Sequence, residues 1–259
     1  LHFRTNPDKP FSFLIGMQTT CQFGGIYKEY LETGEEYLER HTDMTPSVGS
    51  FLKALIPMAG NSTYYEGNHL GTWDVMGRYK FRNGHEVKVY YQSPWEDGSG
   101  IGKLNGWDGM YGIEFRNANP KGIVSGAVIE YIDLTNQSGP LHWDPADFEY
   151  GYLIPSEATG GDNYYNNVAY NGYQLFGQAI GSPFVKSPIY NTSGSLHFFD
   201  NSIRGFHIGV TGNVTNCIGY RIMTSYRKSW GTSLSPSIKP TDNLSMMLEG
   251  SYSPQTIPG

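Results

Sequence analysis

Two loops of this sequence combine aromatic rings with acidic and amide side chains, a mixture that suits sugar binding. Rings offer flat apolar surfaces to the C–H faces of sugars, and nearby carboxylates and amides can bond the hydroxyls. The mixture occurs at Pro94 to Gly98 and Asn105 to Gly109, which flank one loop, and at Gly160 to Asn167 in another. The candidate polysaccharide-binding residues are Trp95, Trp107, Tyr164 and Tyr165 for stacking, and Glu96, Asp97, Asp108, Asp162 and Asn163 for hydrogen bonding. An aromatic girdle at a membrane surface, or ordinary packing, is the alternative explanation for each ring.

The sequence offers little for catalysis. A glycosidase needs two carboxylates that face each other across a sugar, and spacing along the chain cannot show such a pair. No serine stands in a Gly-x-Ser-x-Gly motif, and the histidines show no HExxH pairing. The net charge is −6 with both signs interspersed, so the basic face of a nucleic-acid-binding protein is missing. We therefore predict a protein that is not an enzyme and has no catalytic residue, cofactor, metal or nucleic-acid partner.

The composition indicates an all-β protein that must position these loops. The chain holds 33 Gly, 20 Tyr and 13 Phe among 259 residues, and only 16% of its residues are charged. Aromatic residues favour pleated, half-buried surfaces, and glycine favours turns and close approaches of the backbone. A membrane β-barrel and a glycine-rich soluble sandwich both have such a composition.

Alternation of large apolar residues with small or polar ones predicts the strands. The clearest run extends from Phe11 to Phe23, and further strands are predicted at Tyr111 to Arg116, Gly122 to Asp133, Arg204 to Val210, Ile218 to Arg227 and Met246 to Tyr252. Their polar faces mix glycine with both signs of charge. Such a face could line a barrel lumen or lie in water on a soluble sandwich.

The segment from Arg78 to Gln92 predicts a β-hairpin. Arg82-Asn83-Gly84 fits a three-residue turn with Gly84 in the left-handed region. This register places Tyr79 opposite Val87 and Lys80 opposite Glu86, which is a better match than a two-residue turn gives.

Short and long connections alternate along the first hairpins. Short turns are predicted at 82–84, 117–121 and 212–216, and long connections at 24–70, 93–105, 136–170 and 228–243. A membrane barrel shows this asymmetry, with short periplasmic turns and long external loops. The connection at 24–70 also contains a predicted helix from Pro46 to Met58, which we expect to pack on the end of the barrel.

The remaining features set the domain organisation. No run of about 18 apolar residues occurs, so no transmembrane helix is expected. We expect residues 1–259 to form a single β-barrel domain cut from a longer protein, since the chain begins without a signal peptide and ends in a turn-like Ile257-Pro258-Gly259. Cys21 and Cys217 could pair in an oxidising compartment, but two cysteines do not define a framework.

Several motifs, taken in order, resemble the Wzi capsule-assembly family, especially its Bacteroides-type members. The motifs are Gln22 to Gly25, Glu66 to Gly71, Gly160 to Asn167, Tyr170 to Gln174, Gly181 to Pro183, Ser187 to Asn191 and Arg221 to Trp230 followed by Gly231. The resemblance runs along most of the chain and covers the middle and later part of the family's barrel. The external loops are least alike, so no binding residue of the family is transferred to this sequence.

The resemblance implies an antiparallel up-and-down transmembrane β-barrel of 18 strands in the cell outer membrane. Such a protein would be a monomeric lectin that retains capsular polysaccharide and contacts outer-membrane lipid. Two alternatives remain from the residues themselves. One is an outer-membrane porin or transporter whose lumen charges line a water path. The other is a soluble, secreted β-sandwich that binds or hydrolyses glycans.

Overall fold

A computed structural model describes residues 1–33, 36–43, 47–55, 68–96, 100–101, 107–138, 162–167 and 170–254. The described part is all-β with almost no helix. Its strands are β1 (His2–Arg4), β2 (Phe11–Gln22), β3 (Ile26–Thr33), β4 (Glu36–Asp43), β5 (Asn68–Lys80), β6 (Glu86–Glu96), β7 (Gly109–Arg116), β8 (Gly126–Asp133), β9 (Gln174–Leu175), β10 (Gln178–Ala179), β11 (Ile203–Thr215), β12 (Ile218–Gly231) and β13 (Pro236–Tyr252). The helical elements with described bounds are a helix, α1 (Val48–Ala54), and a 3-10 turn at Pro188–Tyr190, and residues 100–101 are also helical.

Nine of the described strands form one antiparallel sheet in the order β1-β2-β5-β6-β7-β8-β11-β12-β13. Each strand pairs with the next long strand along the chain, so the sheet is an up-and-down meander. The hairpins β3–β4 and β9–β10 lie within two of the connections. In the described part of the chain the sheet is open, with β1 and β13 at its edges.

The connections divide the sheet into two unlike ends. One end, called here the turn end, carries the short connections 5–10, 81–85, 117–125 and 216–217. The opposite end, called the loop end, carries 23–67, 97–108 and 134–202, together with the short connection 232–235. The predicted alternation of short and long connections is therefore confirmed, except at 228–243.

The exception at 228–243 has a physical cause. Residues 228–231 extend β12, and β13 begins at Pro236, so only 232–235 connect the two strands. The stretch contains Pro236 and Pro240, and proline cannot donate a hydrogen bond to a neighbouring strand. Strand β13 is an edge of the described sheet, where a missing donor is tolerated.

One side of the sheet, called here the apolar face, carries three rows of directly opposed side chains from β2 to β13. The row nearest the loop end, called the aromatic row, is Ile15, Val75, Tyr91, Tyr111, Tyr131, Phe206, Tyr226 and Leu244. The second row is Phe13, Gly77, Val89, Ile113, Ile129, Ile208, Thr224 and Met246, and the third is Phe11, Tyr79, Val87, Phe115, Ala127, Val210, Ile222 and Leu248.

The apolar face is exposed, although its residues are of the kind that usually build a core. Ile208, near its centre, is 49% exposed, and Ile113 and Ile129 beside it are more exposed still. Neighbouring rings of the aromatic row contact one another, with centroids 4.6 Å apart for Tyr91 and Tyr111. The rows therefore form a continuous band of uncovered apolar surface.

The opposite side, called the polar face, carries paired charges. Lys88 Nζ lies 3.0 Å from Glu114 Oε2, its direct neighbour across β6 and β7. Tyr90 donates a hydrogen bond to Glu130 on the same face. The alternation predicted for these strands is confirmed, with charge and glycine on one side and large apolar residues on the other.

The local predictions for the hairpin and the helix are confirmed. The β5–β6 register pairs Tyr79 with Val87 and Lys80 with Glu86, and Gly84 has φ +87°. The predicted helix is present over the span of α1; residues 46 and 56–58 of the predicted span lie outside the described residues. No helix of the described residues is long and apolar enough to cross a membrane.

The two cysteines lie at opposite ends of the sheet. Cys21 is near the loop end of β2, and Cys217 is in the turn between β11 and β12. A disulfide holds its two Cα atoms within about 7 Å. The pairing that the sequence left open is therefore incompatible with this fold.

The hydrophobic core lies on the polar-face side of the sheet at the loop end. There the residues 162–167 and 170–202, called the packed loop, fold back onto the strands. The core comprises Tyr164, Tyr165, Tyr173, Val185 and Phe198 of the packed loop with Ile132, Leu134 and Ile203 of or beside the strands. The loop is thus held by burial of its own aromatic side chains.

Polar contacts fasten the packed loop to strands across the width of the sheet. Gln22 of β2 donates to the carbonyl of Gly172 at 3.0 Å, and Tyr173 donates to the carbonyl of Asn68 in β5. Arg227 of β12 donates to the carbonyl of Phe184 at 2.6 Å. A loop tied to strands this far apart is a fixed part of the structure.

Candidate functional site

Three of the four predicted stacking rings are core residues. Trp95 and Tyr164 are 0% exposed and Tyr165 is 4% exposed. Trp95 lies so close to Gly71 that a Cβ on that glycine would come within 2.2 Å of the indole. A ring without an exposed face cannot stack on a sugar, so the stacking role predicted for these three does not fit this structure. Their observed role is packing, the alternative that the sequence also allowed.

The predicted acidic residues Glu96, Asp108 and Asp162 lie close enough to Tyr164 to interact with it electrostatically, and the four are called the rim cluster. Glu96 Oε1 accepts the backbone N–H of Tyr165 at 3.1 Å, so β6 is tied directly to the packed loop. The carboxylate of Asp162 accepts the hydroxyl of Ser138. The sequence therefore identified residues that converge in space, but their contacts anchor loops.

Asp108 has the clearest anchoring role in the rim cluster. It is 2% exposed, and Oδ1 accepts the backbone N–H of Asn136 at 2.9 Å while Oδ2 accepts that of Gln137. A buried carboxylate that receives two backbone donors fixes the start of the 134–202 connection. Burial, with Asp108 as the next largest cause, raises the pKa of Tyr164 well above its ordinary value, so its phenol stays neutral.

The other predicted residues differ in placement. Asn163 Oδ1 accepts the side-chain amides of Asn201 at 2.7 Å and Asn166 at 3.0 Å, so it is part of the packed loop's framework. Trp107 is 79% exposed and is the one predicted stacking ring with an accessible face. Asp97 lies outside the described residues. Polysaccharide binding by the predicted set stays a prediction, and Trp107 is the ring best placed for it.

An open cleft of about 760 Å³, called the loop cleft, lies between the packed loop and the polar face of β12 and β13. Its lining includes Gln178, Lys186, Tyr190, Asp200, Arg227 and Asn243. This volume is within the range of sites for small organic ligands. Tyr190 is 67% exposed at the cleft and offers an aromatic surface.

The loop cleft is lined by charges of both signs. Lys186 and Arg227 lie opposite Asp200, and serine and threonine side chains also belong to the lining. Asp200 is partly exposed and accepts the hydroxyl of the buried Ser229 at 2.9 Å. Such a lining offers donors and acceptors in many directions, which suits a hydroxyl-rich ligand.

The loop-cleft residues were not among the predicted binding residues, although some of them belong to segments that the sequence marked. Arg227 ends the predicted strand Ile218 to Arg227, and Tyr190 lies within the family-like motif Ser187 to Asn191. Strand patterning does not show that a loop more than 30 residues upstream of Arg227 folds back against it. The contact between Arg227 and Phe184 is a tertiary feature.

A metal site is not formed by the described residues, since they contain no group of three His, Cys, Asp or Glu placed to hold an ion. Resemblance to the Wzi family stays a hypothesis that rests on the motifs of the sequence. Comparison with protein-family models, curated proteins and solved structures finds no match to this chain. The candidate site is therefore described from the geometry of its residues alone.

Proposed function

We propose that this chain forms part of the wall of an outer-membrane β-barrel that retains polysaccharide at the cell surface, as the resemblance to the Wzi family suggests. The observation that carries the proposal is the exposed apolar face, which runs from β2 to β13 without a covering layer in the described residues. Soluble proteins rarely expose continuous apolar patches of more than a few hundred Å². A lipid bilayer is the surrounding that such a band fits.

The dimensions of the apolar face also fit a lipid bilayer. On β12 it extends from Ile218 to Tyr226, a rise of about 27 Å along the strand at ~3.4 Å per residue. With a strand tilt of ~40°, the height is about 20 Å, close to the apolar band of an outer-membrane barrel. The aromatic row then lies at the upper boundary, where a girdle of rings is typical.

The lengths of the connections give the orientation of the sheet in the proposed membrane. Outer-membrane barrels have short periplasmic turns and long extracellular loops. The turn end of the sheet would therefore face the periplasm, and the loop end with the packed loop and the loop cleft would face the cell exterior. An exported polysaccharide reaches the protein from that side.

The loop cleft supports the binding part of the proposal. Exposed Tyr190 provides a surface for the C–H face of a sugar, while Gln178 and Asn243 can bond its hydroxyls. Each sugar unit of a polymer adds a weak contact, so a repeating chain is held by avidity. Acid–base chemistry is not required for retention.

The binding proposal is tested with capsule retention by cells that carry Tyr190→Ala. We expect surface polysaccharide to fall and shed polysaccharide to rise, with the amount of the protein in the outer membrane unchanged. Tyr252→Ala is the matched control, because Tyr252 is 72% exposed but lies at the turn end. Equal retention in both variants would reject the loop cleft as the binding site.

The membrane part of the proposal is tested separately by cell fractionation. The protein should sediment with the outer membrane and resist extraction by alkaline carbonate. Recovery in the soluble fraction would contradict the barrel and favour a secreted glycan-binding sandwich. Conductance in planar bilayers distinguishes a porin, which should pass ions steadily, from a barrel narrowed by the packed loop.

A further inference from the structure

We infer that a groove on the apolar-face side, at the level just beyond the aromatic row, binds the phosphorylated sugar headgroup of an outer-leaflet glycolipid. This inference rests on the proposed membrane location but concerns a different surface from the loop cleft. The groove, called the headgroup groove, has a volume of about 660 Å³. Its lining includes Trp107, Tyr111, Tyr131, Asp133, Asn136 and Arg204.

Aromatic rings form one part of the headgroup groove. Tyr111 and Tyr131 belong to the aromatic row, with their ring centroids 6.3 Å apart and their planes within 28° of each other. Trp107 is largely exposed at the groove, and the hydroxyl of Tyr111 donates to its carbonyl at 2.6 Å. The exposed indole of Trp107 is a suitable surface for the flat side of a sugar, and the stacked rings of Tyr111 and Tyr131 form the wall of the groove beside it.

Beyond these rings, towards the loop end, one level of the described strands carries charged side chains on the apolar-face side. Two residues past the aromatic row, Asp133 pairs across the strands with Arg204, Arg204 with Lys228, and Lys228 with Asp242. The side chains have the same strand parity as Tyr131, Phe206 and Tyr226, so they point to the same side. Two residues correspond to about 7 Å along a strand, which places these charges at headgroup depth when the rings lie at the hydrocarbon boundary.

Two cations of this level converge on one indole. The guanidinium carbon of Arg204 lies 5.8 Å from the Trp230 ring centroid, and Lys228 Nζ lies 5.9 Å from the same centroid. Arg204 Nε is held by Asp133 at 2.8 Å, and its Nη2 donates to Thr135 at 3.1 Å. Lys228 makes no ion pair with the residues that the structure describes, so its ammonium is available to an anion.

The combination favours a lipid that carries both a sugar and a phosphate. Arg204 and Lys228 supply charge-assisted donors to a phosphate. Asn136 can bond sugar hydroxyls beside the exposed ring of Trp107, while the Asp133 carboxylate accepts from Tyr131, Thr135 and Arg204 and so positions the guanidinium. A lipid with a phosphate but no sugar would use the cations and leave Trp107 without a partner.

The test measures lipids that stay bound when the protein is extracted from vesicles into mild detergent and analysed by native mass spectrometry. The vesicles contain phosphatidylethanolamine with either lipid A, a phosphorylated glucosamine lipid, or phosphatidylglycerol. The variant is the double substitution Arg204→Gln with Lys228→Gln. Arg221→Gln is the matched control, since its side chain has the same 53% exposure as that of Arg204 and pairs with Glu249 on the polar face.

We expect lipid A to be retained on the protein and on Arg221→Gln, and its retention to fall at least about tenfold in the double variant, which corresponds to about 1.4 kcal/mol. Phosphatidylglycerol should be retained poorly by all three proteins. Equal retention of the two lipids, or equal lipid A on the double variant and the control, would overturn the inference. Proteolysis of the vesicles reports insertion: failure of all proteins to insert defeats the proposed function as well, whereas insertion without lipid A selectivity defeats this inference alone.

Discussion

The apolar face and the packed loop use the same residue types in opposite ways. On the apolar face, isoleucine and tyrosine lie exposed in rows, although the strand pattern alone would have suited the interior of a sandwich. In the packed loop, which has little regular structure, tyrosine and phenylalanine are buried against the other side of the sheet. The difference shows that the core of this protein is built by a connection, while the strands direct their largest apolar side chains to the outside.

The largest expected effect comes from breaking the core of the packed loop. Phe198 is 1% exposed and contacts the ring of Tyr165 at a centroid distance of 5.5 Å. Phe198→Ala should destabilise the loop by about 3–5 kcal/mol, because it removes buried surface and leaves a cavity. Limited proteolysis of the protein in detergent measures this as cleavage within 170–202.

The adjacent Phe199 provides the control for that variant. It is 48% exposed, so Phe199→Ala removes the same side chain from a site with little packing. Proteolysis should be nearly that of the unaltered protein. If both variants were equally resistant, the packed loop would not depend on its core.

A second prediction sharpens the contrast between the two sides of one strand. Ile208→Lys places a charge in the centre of the apolar face, and His207→Lys places it one residue away on the polar face. In a bilayer, Ile208→Lys should lower the free energy of unfolding by about 2–4 kcal/mol, since lysine at the membrane midplane is strongly unfavourable. His207→Lys should lower it much less, because Glu130 lies opposite His207 on the polar face and can pair with a lysine there.

The measurement for this pair is the free energy of unfolding in lipid vesicles, from denaturant titration of the refolded protein. In a soluble protein the 49% exposed Ile208 would tolerate lysine, and a surface substitution of this kind changes stability by about 0.5 kcal/mol or less. Similar stability of the two variants would therefore contradict a lipid-facing apolar face.

The third prediction concerns the carboxylate that joins the packed loop's connection to the strands. Asp108→Asn weakens the two bonds that it accepts from the backbone of Asn136 and Gln137, and one amide oxygen replaces two carboxylate oxygens. A buried donor left without its partner costs about 1–3 kcal/mol. Hydrogen exchange should accelerate at residues 134–138, with Asp8→Asn in the exposed first turn as the unaffected control.

Strand positions and register were predictable from sequence because each depends on local alternation and turn chemistry. Gly84 and its flanking residues determined the β5–β6 register, and the run from Phe11 marked β2. The direction of the apolar face was a hypothesis, since alternation is identical whether the apolar side meets lipid or a core. The rows across the sheet could not be predicted, because they depend on the register of all the strands together.

The candidate site was predictable only in part. Acidic and aromatic loop residues do converge at the rim cluster, but sequence cannot distinguish a buried anchor such as Asp108 from an exposed ligand group. The headgroup groove had a visible signal: Arg204 shares the parity of Phe206 and Ile208 and so interrupts an apolar series. The loop cleft had no such signal in the sequence, because its shape depends on how the packed loop folds back onto the strands.

The smallest expected effect is that of Trp107→Ala, and it is compared with Trp95→Ala because the sequence treated the two tryptophans as equivalent. Trp95 is fully buried and Trp107 is 79% exposed. Trp95→Ala should cost about 3–5 kcal/mol of stability, whereas Trp107→Ala should change it by about 0.5 kcal/mol or less. Thermal unfolding in detergent measures both. A large loss for Trp107→Ala would mean that its ring packs against the protein, and it would then be removed from both the sugar-stacking prediction and the headgroup groove.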